Sequence, residues 1–409
     1  MHDAIDLSDP ARDLCVFLVA GEHSGDALGA KLMAAIAQAS SGRVRFVGVG
    51  GPLMEAQGMA SLFPLTDVAI IGLAAIVRRL PHLLRRFAET VRSAVACQPD
   101  VVVIIDSPEF THPIARRLRR RRPDIPIIDY VSPSVWAWRS GRAARMRGYV
   151  DHVLALLPFE PAAHARLGGP PCSYVGHPLI ERLKWIEEVD PAPLAQRLGL
   201  SASVPIIVVL PGSRRSEVER LIAAFGRTID GLVHAGVTPQ IIIPTVGHVA
   251  DLIRERVRSW PVAPHIVCGD LDKWRAFKLA RVALAASGTV TLELALARTP
   301  MVVAYKIEPL MAPFLRRMIS ATTIILPNLI LQRNVFPEFV QEACTPERLS
   351  AALLQVMQEG PERDAQIAAL TEIPVHMLTA GDTPSLAAAD IVLRYAHAGR
   401  GHGRRTGAH

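Results

Sequence analysis

One short segment combines the residue types that bind phosphate groups. The sequence PGSRRSE at 211–217 follows the apolar run Ile206–Leu210 and opens a helical pattern. A glycine turn, hydroxyl groups, two arginines and a helix N-terminus all favour an anion, because they supply N–H donors, a helix dipole and guanidinium groups. The spacing does not match the GxxxxGK[ST] of a Walker A loop. We predict that Ser213 and Arg214 bind a diphosphate, with an ordinary helix start as the alternative.

A second turn of small residues could complete such a site. Ser287, Gly288 and Thr289 follow the apolar run Val282–Ala285, and Glu293 lies about one helical turn further on. Backbone N–H groups at this turn could face phosphate. The Glu293 carboxylate could accept hydrogen bonds from a ribose diol, or it could interact only with the helix dipole. The residues alone leave both roles open.

Asp106 is the candidate for proton transfer. It directly follows the apolar run Val101–Ile105, and a carboxylate at the end of a buried strand can act as a general base. Its alternative role is to cap the next turn.

Another turn, AGEHSGD at 20–26, precedes a helical pattern, and we expect Ser24 or Asp26 to cap that helix. Its spacing is not GxGxxG, so no dinucleotide site is predicted.

Other motifs are weaker signals of chemistry. Asp270 and Asp272 spell DxD, a pattern that can hold a divalent metal, but a helical stretch follows and we expect them to cap it. No HExxH, GxSxG or metal-spaced His cluster occurs, so no metal is predicted. The run 116–122 holds six arginines without interleaved aromatic residues. This composition favours a solvated helix face or anionic lipid over nucleic acid.

These segments are positioned by alternating strand and helix patterns. The strand-like runs are mostly continuous in Val and Ile, as in strands buried on both faces of a parallel sheet. Helical patterns such as Asp26–Ala39 and Glu217–His234 lie between them. We therefore predict an α/β protein with doubly wound parallel sheets. The runs are Leu14–Val19, Val101–Ile105, Ile127–Val131, Val153–Leu157, Ile206–Leu210, Ile241–Ile243, Val282–Ala285 and Met301–Ala304.

The strand series restarts near position 200, which predicts two domains. A length of 409 residues fits that number. The stretch 178–205 is rich in proline and indicates the join. Two helical stretches, Glu362–Thr371 and Ser385–His397, precede a tail rich in Gly, Arg and His that we expect to be disordered.

Composition narrows the class of protein. Hydrophobic residues make up 50% of the chain and charged residues 20%, which excludes wholesale disorder. The net charge of +7 suits an anionic partner or merely aids solubility. Five scattered cysteines without a CxxC pair indicate reduced thiols in a cytosolic protein. The N-terminus lacks a signal-peptide pattern, and the longest apolar stretch, Val68–Val77, is half of the roughly 20 residues that a spanning helix needs.

Taken together, the motifs resemble those of the lipid-A-disaccharide synthases, UDP-dependent glycosyltransferases of the GT-B fold. YVSPSVWAWR at 130–139 and LPGSR at 210–214, with the GEHSGD turn, are specific to that family, whereas ASGTVTLELAL at 286–296 alone indicates only a GT-B protein. The matches follow the family order over about three quarters of the chain. The others are AGEHSGDALGAKLM (20–33), FVGVGGPLM (46–54), IDSPEF (105–110), LPFEP (157–161), YVGHPL (174–179), PMVVAYK (300–306) and LPNLIL (326–331).

The resemblance implies a domain organisation. Two Rossmann-like doubly wound domains would face a central cleft, and C-terminal helices would return to the N-terminal domain. The acceptor and membrane-facing domain would span 1–178 with helices at about 365–397. The UDP-sugar domain would span 179–364, and 398–409 would be a disordered tail.

The resemblance also implies a reaction. An inverting glycosyltransferase would condense UDP-2,3-diacylglucosamine with 2,3-diacylglucosamine 1-phosphate (lipid X). The products would be the β-1',6-linked lipid A disaccharide 1-phosphate and UDP. Asp106 would be the catalytic base, with Glu22 in the same crevice. No cofactor and no metal are expected, because GT-B enzymes neutralise the leaving group without a DxD metal.

On the donor side, the resemblance assigns roles to both small-residue turns. The turn at 211–217 would neutralise the diphosphate, and the turn at 287–289 would hold the phosphates. The Glu293 carboxylate would hold the ribose. Two later positions, in and after LPNLIL, match residues that line the donor side in the family. The full set is Ser213, Arg214, Ser287, Gly288, Thr289, Glu293, Asn328 and Gln341.

The segment Leu62–Phe87 combines apolar residues with four arginines, and an amphipathic stretch of this kind can lie in a membrane interface. A core helix with a basic solvent face is the alternative. With lipid substrates, we predict a cytoplasmic protein peripherally attached to inner-membrane phospholipids of a Gram-negative bacterium. A homodimer is left open, and no nucleic acid partner is expected. The membrane-contact arginines are Arg78, Arg79, Arg85 and Arg86.

Three positions depart from the family pattern. Glu109 and Thr111 stand where Asp and Asn are common, and Ala75 stands where Glu is common. They affect the finer acceptor contacts and leave the donor motifs unchanged.

Two alternative functions remain. One is another GT-B UDP-sugar enzyme, either a UDP-N-acetylglucosamine 2-epimerase or a transferase to a different lipid acceptor, which the motif at 130–139 disfavours. The other is a basic membrane- or RNA-associated binding protein without catalysis. The joint presence of Asp106, Arg214 and Glu293 disfavours it.

Overall fold

The computed structural model describes residues 13–68, 73–306, 323–379 and 383–406, with side chains described over 13–68, 81–306, 323–379 and 383–399. The chain divides into two units, Met1–Pro178 with Thr379–His409, and Leu179–Leu378. Each unit is built on one six-stranded parallel sheet. The predicted α/β class is therefore confirmed.

The sheet of the first unit has the strand order β2-β1-β3-β4-β5-β6. All residues of β1 and β3 are buried, because apolar clusters cover both faces of the sheet. The strands are β1 (Leu14–Ala20), β2 (Val44–Val49), β3 (Val101–Ile105), β4 (Ile127–Tyr130), β5 (His152–Ala155) and β6 (Cys172–Tyr174). The helices are α1 (His23–Ala39), α2 (Pro52–Glu55), α3 (Leu73–Cys97), α4 (Pro108–Arg121), α5 (Gly141–Met146), α6 (Glu160–Arg166) and, from the C-terminus, α16 (Pro384–Thr406).

The sheet of the second unit has the order β12-β11-β10-β7-β8-β9. Its strands are β7 (Ile206–Leu210), β8 (Gln240–Thr245), β9 (His265–Cys268), β10 (Val282–Ala286), β11 (Met301–Tyr305) and β12 (Glu338–Val340). Its helices are α7 (Leu183–Glu188), α8 (Ala192–Leu198), α9 (Arg215–His234), α10 (Gly247–Arg256), α11 (Asp270–Leu279), α12 (Thr289–Leu296), α13 (Leu326–Leu331), α14 (Pro346–Met357) and α15 (Pro361–Met377).

Helices α1 and α16 pack together against one face of the first sheet. Leu32 and Ile36 of α1 are buried in the same apolar cluster as Ala388, Val392 and Ala396 of α16. The residues of α16 recur at intervals of four, so they form one stripe along the helix. Small alanines in that stripe let the helix axes approach closely. The C-terminal helix thus completes the core of the first unit.

The strand order reverses once in each sheet. In the first sheet β1 lies next to β3, with Ala20 opposite Ile105. In the second sheet β7 lies next to β10, with Leu210 opposite Ala285. The chain leaves the two strands of such a pair in opposite directions, and the turns after them border the crevice where open α/β sheets bind ligands. All four turns singled out in the sequence follow these four strands.

Eight of the strands lie where continuous apolar runs predicted them. The four that were not predicted are β2, β6, β9 and β12, and each is an edge strand of its sheet. Most of their residues are only partly buried. An edge strand has one neighbour and a half-exposed surface, so its sequence does not need to be continuously apolar.

The C-terminal elements differ from the prediction in two ways. Helix α15 belongs to the second unit, whereas the return to the first unit was predicted at about 365; the chain returns at Thr379. The Gln366 amide explains this placement, since it accepts from Met301 N (2.8 Å) and donates to Met301 O (3.1 Å) on strand β11.

The tail predicted to be disordered from 398 is also different. Helix α16 continues to Thr406, and residues 407–409 lie outside the described part. At Gly399 the helix backbone passes close to the first sheet, because a Cβ there would lie 3.2 Å from both Asp100 O and Pro126. The helix therefore packs against the residues that precede β3 and β4, and it continues beyond the end that the Gly-rich composition predicts.

Candidate functional site

In the first unit, the structure joins the turns that follow β1 and β3. Ser24 Oγ donates a 2.7 Å hydrogen bond to Asp106 Oδ2. The second carboxylate oxygen, Oδ1, accepts from Ser107 N at 2.7 Å. Both contacts orient the carboxylate at the carboxyl end of the sheet, where its side chain remains partly exposed. An oriented, accessible carboxylate of this kind can accept a proton from a bound hydroxyl group.

The backbone at Asp106 is in a rare conformation. Asp106 and Ser107 both have left-handed φ angles, 53° and 44°. For residues other than glycine this costs about 1–3 kcal/mol each, and such positions cluster at functional sites. The neighbouring turn lies very close, since a Cβ on Gly21 would lie 2.5 Å from Ser107 Cβ. Glu22 follows that glycine and is exposed, so both predicted catalytic residues lie in two turns that contact each other.

The expected caps of helix α1 are wrong. Ser24 bonds Asp106, and the buried Asp26 carboxylate accepts from the backbone N–H groups of Gly51, Leu53 and Met54 at 2.9–3.1 Å. It therefore caps the neighbouring helix α2. This contact also explains Gly51, the third glycine of the FVGVGGPLM motif, because a Cβ there would lie 2.6 Å from Asp26 Oδ2.

The segment after β4 is held by a buried acid that the sequence did not point to. Glu160 accepts from the backbone N–H groups of Leu156 and Leu157 (3.1 and 3.0 Å) and from Trp136 Nε1 (3.3 Å). Burial raises the pKa of Glu160 to about 7, and the negative charge of Asp129 acts in the same direction, although the three N–H donors favour the ionised form. The glutamate of the LPFEP motif thus holds the VSPSVWAW segment through the hydrogen bond from Trp136. The proline after the glutamate and the apolar run before it were the only signals in the sequence.

Glu109, one of the departures from the family pattern, contacts two arginines. Its Oε1 lies 2.5 Å from Arg142 and 3.3 Å from Arg139, and the Arg139 guanidinium lies over the Trp138 ring at 4.5 Å. The Arg142 and Arg139 guanidinium groups lower the pKa of Glu109, although burial opposes this. The carboxylate thus links α4 to the 138–142 segment near Asp106.

In the second unit, the predicted phosphate turn is already organised by a carboxylate. Glu217 Oε2 accepts from Ser213 N (3.0 Å) and Arg214 N (3.2 Å), and its Oε1 accepts from the Arg214 guanidinium (3.2 Å). Gly212 has φ 128°, and a Cβ there would lie 2.4 Å from Glu217 Cβ. His248 Nε2 lies 2.9 Å from Ser213 O. The sequence analysis missed the Glu217 and His248 contacts, because both depend on the folded turn.

The second donor-side turn follows β10. Gly288 has φ 152°, and Thr289 begins helix α12. Ser287 Oγ donates to Ile324 O at 3.0 Å, so its hydroxyl is used inside the protein and positions residue 324. Glu293 lies one turn into α12, and Lys273 Nζ lies 2.8 Å from its Oε1. The N-terminus of α12 and the N-terminus of α9 follow adjacent strands.

Asn328 is placed differently from a residue that lines an open site. Its side chain is 1% exposed. Nδ2 donates to Phe336 O (2.9 Å) and Thr323 Oγ1 (3.4 Å), and Oδ1 accepts from Val335 N and Phe336 N, both at 3.0 Å. All hydrogen-bonding atoms of the amide are therefore used inside the protein. Asn328 organises the segments around it, and any effect on a ligand is indirect.

Gln341 follows edge strand β12 and has a left-handed φ of 55°. It lies in the short 3-10 helix Gln341–Ala343 and is partly buried. Gln341 therefore lies at the carboxyl end of the second sheet, as do the turns after β7 and β10.

Both aspartates of the DxD pair contact cationic side chains. Asp270 contacts Arg182 (2.6 Å) and Lys273 (3.1 Å). Asp272 contacts Arg197 and Arg275. Gly269, not an aspartate, occupies the N-cap position of α11, so the expected capping is also wrong. In the described part of the chain, no group of three or more His, Cys, Asp or Glu side chains could hold a metal ion.

The four predicted membrane-contact arginines are placed unequally. Arg85 is exposed. Arg86 is not available to a membrane, because it pairs with Asp67 and with Glu89 (2.7 Å) and lies over the Phe63 ring at 4.6 Å. The side chains of Arg78 and Arg79 lie outside the described residues. Among the helices that the structure describes, none has the length and apolar character to cross a bilayer.

Solved structures of other proteins share the fold of this chain. The chain superimposes on the Staphylococcus aureus MnaA–UDP co-structure with a TM-score of 0.61 and 12% identity, covering 93% of this chain and 95% of that one. It also matches Acinetobacter baumannii MurG with a TM-score of 0.55 and 12% identity, covering 93% and 99%. At this identity the likeness establishes the fold, which is GT-B.

Sequence relatives identify the family. The family model of lipid-A-disaccharide synthetase matches residues 16–376. The lipid-A-disaccharide synthase of Nitrobacter hamburgensis is 50% identical over 94% of this chain and 96% of its own length. That of Rhodopseudomonas palustris strain BisB18 is 51% identical over 92% and 94%. The chain therefore belongs to the lipid-A-disaccharide synthase family, as its motifs indicated.

Proposed function

We propose that the protein transfers a diacylglucosaminyl group from UDP-2,3-diacylglucosamine to the 6-hydroxyl of 2,3-diacylglucosamine 1-phosphate. The products are the β-1',6-linked lipid A disaccharide 1-phosphate and UDP. Family membership supports this reaction. The observation that carries the assignment of residues is the Asp106 carboxylate, which Ser24 and Ser107 orient where the first sheet reverses its strand order.

Asp106 is the general base of this proposal. Its carboxylate accepts the proton of the acceptor 6-hydroxyl as that oxygen attacks the anomeric carbon of the donor. The bond from the anomeric carbon to the UDP oxygen breaks, and its electron pair leaves with UDP. A single displacement of this kind inverts the anomeric configuration. Positioned proton transfer contributes typically about 10²–10⁴-fold to such a rate. Glu22, in the adjoining turn, is proposed to contact the acceptor.

The two turns of the second unit are proposed to bind UDP. Arg214, which is 63% exposed, can pair with the diphosphate, and the N-termini of α9 and α12 favour negative charge. Ser213, Gly288 and Thr289 would supply hydrogen bonds to the phosphates. Glu217 currently accepts from the Ser213 and Arg214 N–H groups, so bound UDP would compete with this carboxylate for donors. These contacts would stabilise the charge that develops on the leaving group without a metal.

The ribose is assigned to Glu293. Its carboxylate lies one turn inside α12, on the same sheet edge as the phosphate turns. Asn328 and Gln341 are assigned to the donor side. Asn328 would act by positioning Thr323, Val335 and Phe336.

The substrates are lipids, so peripheral attachment to the cytoplasmic face of the inner membrane is part of the proposal. Exposed Arg85, together with Arg78 and Arg79, would contact anionic phospholipids. A homodimer remains a prediction, which sedimentation equilibrium at several protein concentrations can check.

The decisive experiment is disaccharide formation from the two proposed substrates in detergent–lipid micelles with EDTA present. We expect one disaccharide 1-phosphate and one UDP for each donor consumed. Loss of activity in EDTA that a divalent metal restores would overturn the metal-free mechanism. UDP binding without disaccharide would overturn the acceptor assignment, and epimerised UDP-sugar as the product would support the 2-epimerase alternative. Asp106→Asn serves as the inactive control.

A further inference from the structure

Glu293 is one end of a chain of alternating charges in the second unit. Its Oε1 lies 2.8 Å from Lys273 Nζ. Lys273 Nζ also lies 3.1 Å from Asp270 Oδ1, and Asp270 Oδ2 lies 2.6 Å from Arg182. Residues 270 and 273 are on α11, whereas Glu293 is on α12, so the contact joins two helices. The first aspartate of the DxD motif thus belongs to a network that ends at the proposed ribose carboxylate.

The lysine is held more firmly than a surface lysine. Its side chain is only 25% exposed, and Nζ lies 5.2 Å from the ring centroid of the fully buried Trp274. The Arg182 guanidinium lies over the Trp185 ring at 4.3 Å, which fixes the far end of the network. A cation over an aromatic face is attracted to it. Aromatic packing therefore keeps both cations in place, and with them the carboxylates that they contact.

The contact leaves one oxygen of the Glu293 carboxylate for another partner. Oε1 is bonded to Lys273, whereas Oε2 has no hydrogen-bond partner among the described residues. The Glu293 side chain is 18% exposed, so it is largely surrounded by protein. Without the ammonium group, the carboxylate could rotate or draw on other donors. With it, one of the two carboxylate oxygens is held in place.

We propose that Lys273, itself held by Asp270, is a positioning residue that orients the Glu293 carboxylate toward the ribose diol of the nucleotide. The proposal rests on the ribose contact proposed above. It gives the DxD aspartate at 270 a structural role in nucleotide selection instead of a metal-binding one.

The test compares UDP with 2',3'-dideoxy-UDP, which keeps the diphosphate and loses the diol. Isothermal titration calorimetry would give both dissociation constants for each variant. A hydrogen bond to a charged group corresponds to about a tenfold or greater effect, so the wild type should prefer UDP by at least about tenfold. Lys273→Met should lose most of this preference and bind the dideoxy analogue as the wild type does. Lys273→Arg should restore part of it, and Asp270→Asn should show a smaller loss.

Lys278→Met is the matched control, because Lys278 lies on the same helix and donates to the backbone carbonyl oxygens of Glu187 and Val189. It should keep the full preference for UDP. If Lys273→Met also keeps it while Glu293→Gln loses it, the positioning role is wrong. If Lys273→Met weakens both ligands equally, the lysine acts at the phosphates and the inference is overturned. If Glu293→Gln keeps the preference, the ribose contact itself fails, and with it the proposed role of Glu293.

Discussion

Ser24 Oγ and Asp106 Oδ2 are joined by a 2.7 Å hydrogen bond across 82 residues of sequence. The bond connects the turns after two neighbouring strands, β1 and β3, which are paired to their ends at Ala20 and Ile105. A hydroxyl donor at this distance fixes the direction of the carboxylate. It also ties the GEHSGD turn to the IDSPEF turn, two of the motifs that identify the family.

Removing the Asp106 carboxylate should strongly slow transfer without affecting nucleotide binding. We expect Asp106→Asn to lower kcat by about 10²–10⁴-fold, since the amide cannot accept the proton. Ser24→Ala should lower kcat by about tenfold, the effect of one hydrogen bond. Steady-state kinetics with lipid substrates would measure both effects, and UDP calorimetry should give wild-type affinity. Full activity of Asp106→Asn would remove this residue from the mechanism.

Arg214 should contribute directly to UDP affinity. We expect Arg214→Ala to weaken UDP binding by about 1.5–3 kcal/mol, the range for a hydrogen bond to a charged group. Arg215→Ala is a matched control, because that side chain is 73% exposed and pairs with Glu219. It should change the affinity by less than about twofold, as expected for a surface ion pair. Equal effects of the two variants in calorimetry would place the phosphate site elsewhere.

Asn328 should act on stability rather than on ligand contact. Its amide has four partners inside the protein, so Asn328→Ala leaves buried donors and acceptors unpaired. Each unpaired group costs about 1–3 kcal/mol, and we expect the unfolding free energy to fall by at least about 2 kcal/mol. Urea unfolding of the free protein would measure this. Wild-type stability combined with weakened UDP binding would instead indicate direct contact with the donor.

Glu160 should make stability depend on pH. Below pH 4.5 the carboxyl is neutral in both the folded and the unfolded chain. Between pH 4.5 and about 7 only the unfolded chain ionises, because burial raises the folded pKa to about 7. The folded state therefore loses about 3 kcal/mol of stability as pH rises through this window, and the loss is complete above pH 7.

Glu160→Gln should remove that slope. Its unfolding free energy relative to wild type should rise by about 3 kcal/mol between pH 4.5 and pH 7. A constant offset from the changed hydrogen bonds would not alter the slope. Asp251→Asn, at a side chain that is 96% exposed, is the control and should leave the pH profile unchanged. Parallel profiles for Glu160→Gln and wild type would contradict the raised pKa.

The arginines near the start of α3 should divide into two groups. Replacing Arg78, Arg79 and Arg85 with Glu should weaken binding to vesicles of anionic phospholipid, at about 1 kcal/mol for each basic residue near the surface. Arg86→Glu should mainly reduce thermal stability, because Arg86 pairs with Asp67 and Glu89. Vesicle co-sedimentation and thermal unfolding would separate the two effects. Unchanged vesicle binding by the triple variant would rule out this surface as the membrane contact.

The central strands could be predicted from sequence because their environment demands one kind of residue. The runs Val101–Ile105 and Ile206–Leu210 are strands with those same bounds. A strand covered on both faces must be apolar throughout, so the run alone identifies it. The polar residues of the motifs, such as Asp106 and Arg214, lie in the turns after these strands. For these reasons the fold class could be predicted from the sequence, and the motifs in the turns indicated the family.

Edge strands, caps and hydrogen-bond partners were decided only by the tertiary structure. Asp26 lies at the start of α1, where local rules predict a cap for that helix, but its carboxylate caps α2 at residues 51–54. Asn328 matches a donor-side position in the family, yet its amide is saturated by residues 323–336. Local sequence determines which groups a side chain offers. The partners of those groups depend on which distant segments the fold brings within hydrogen-bonding distance.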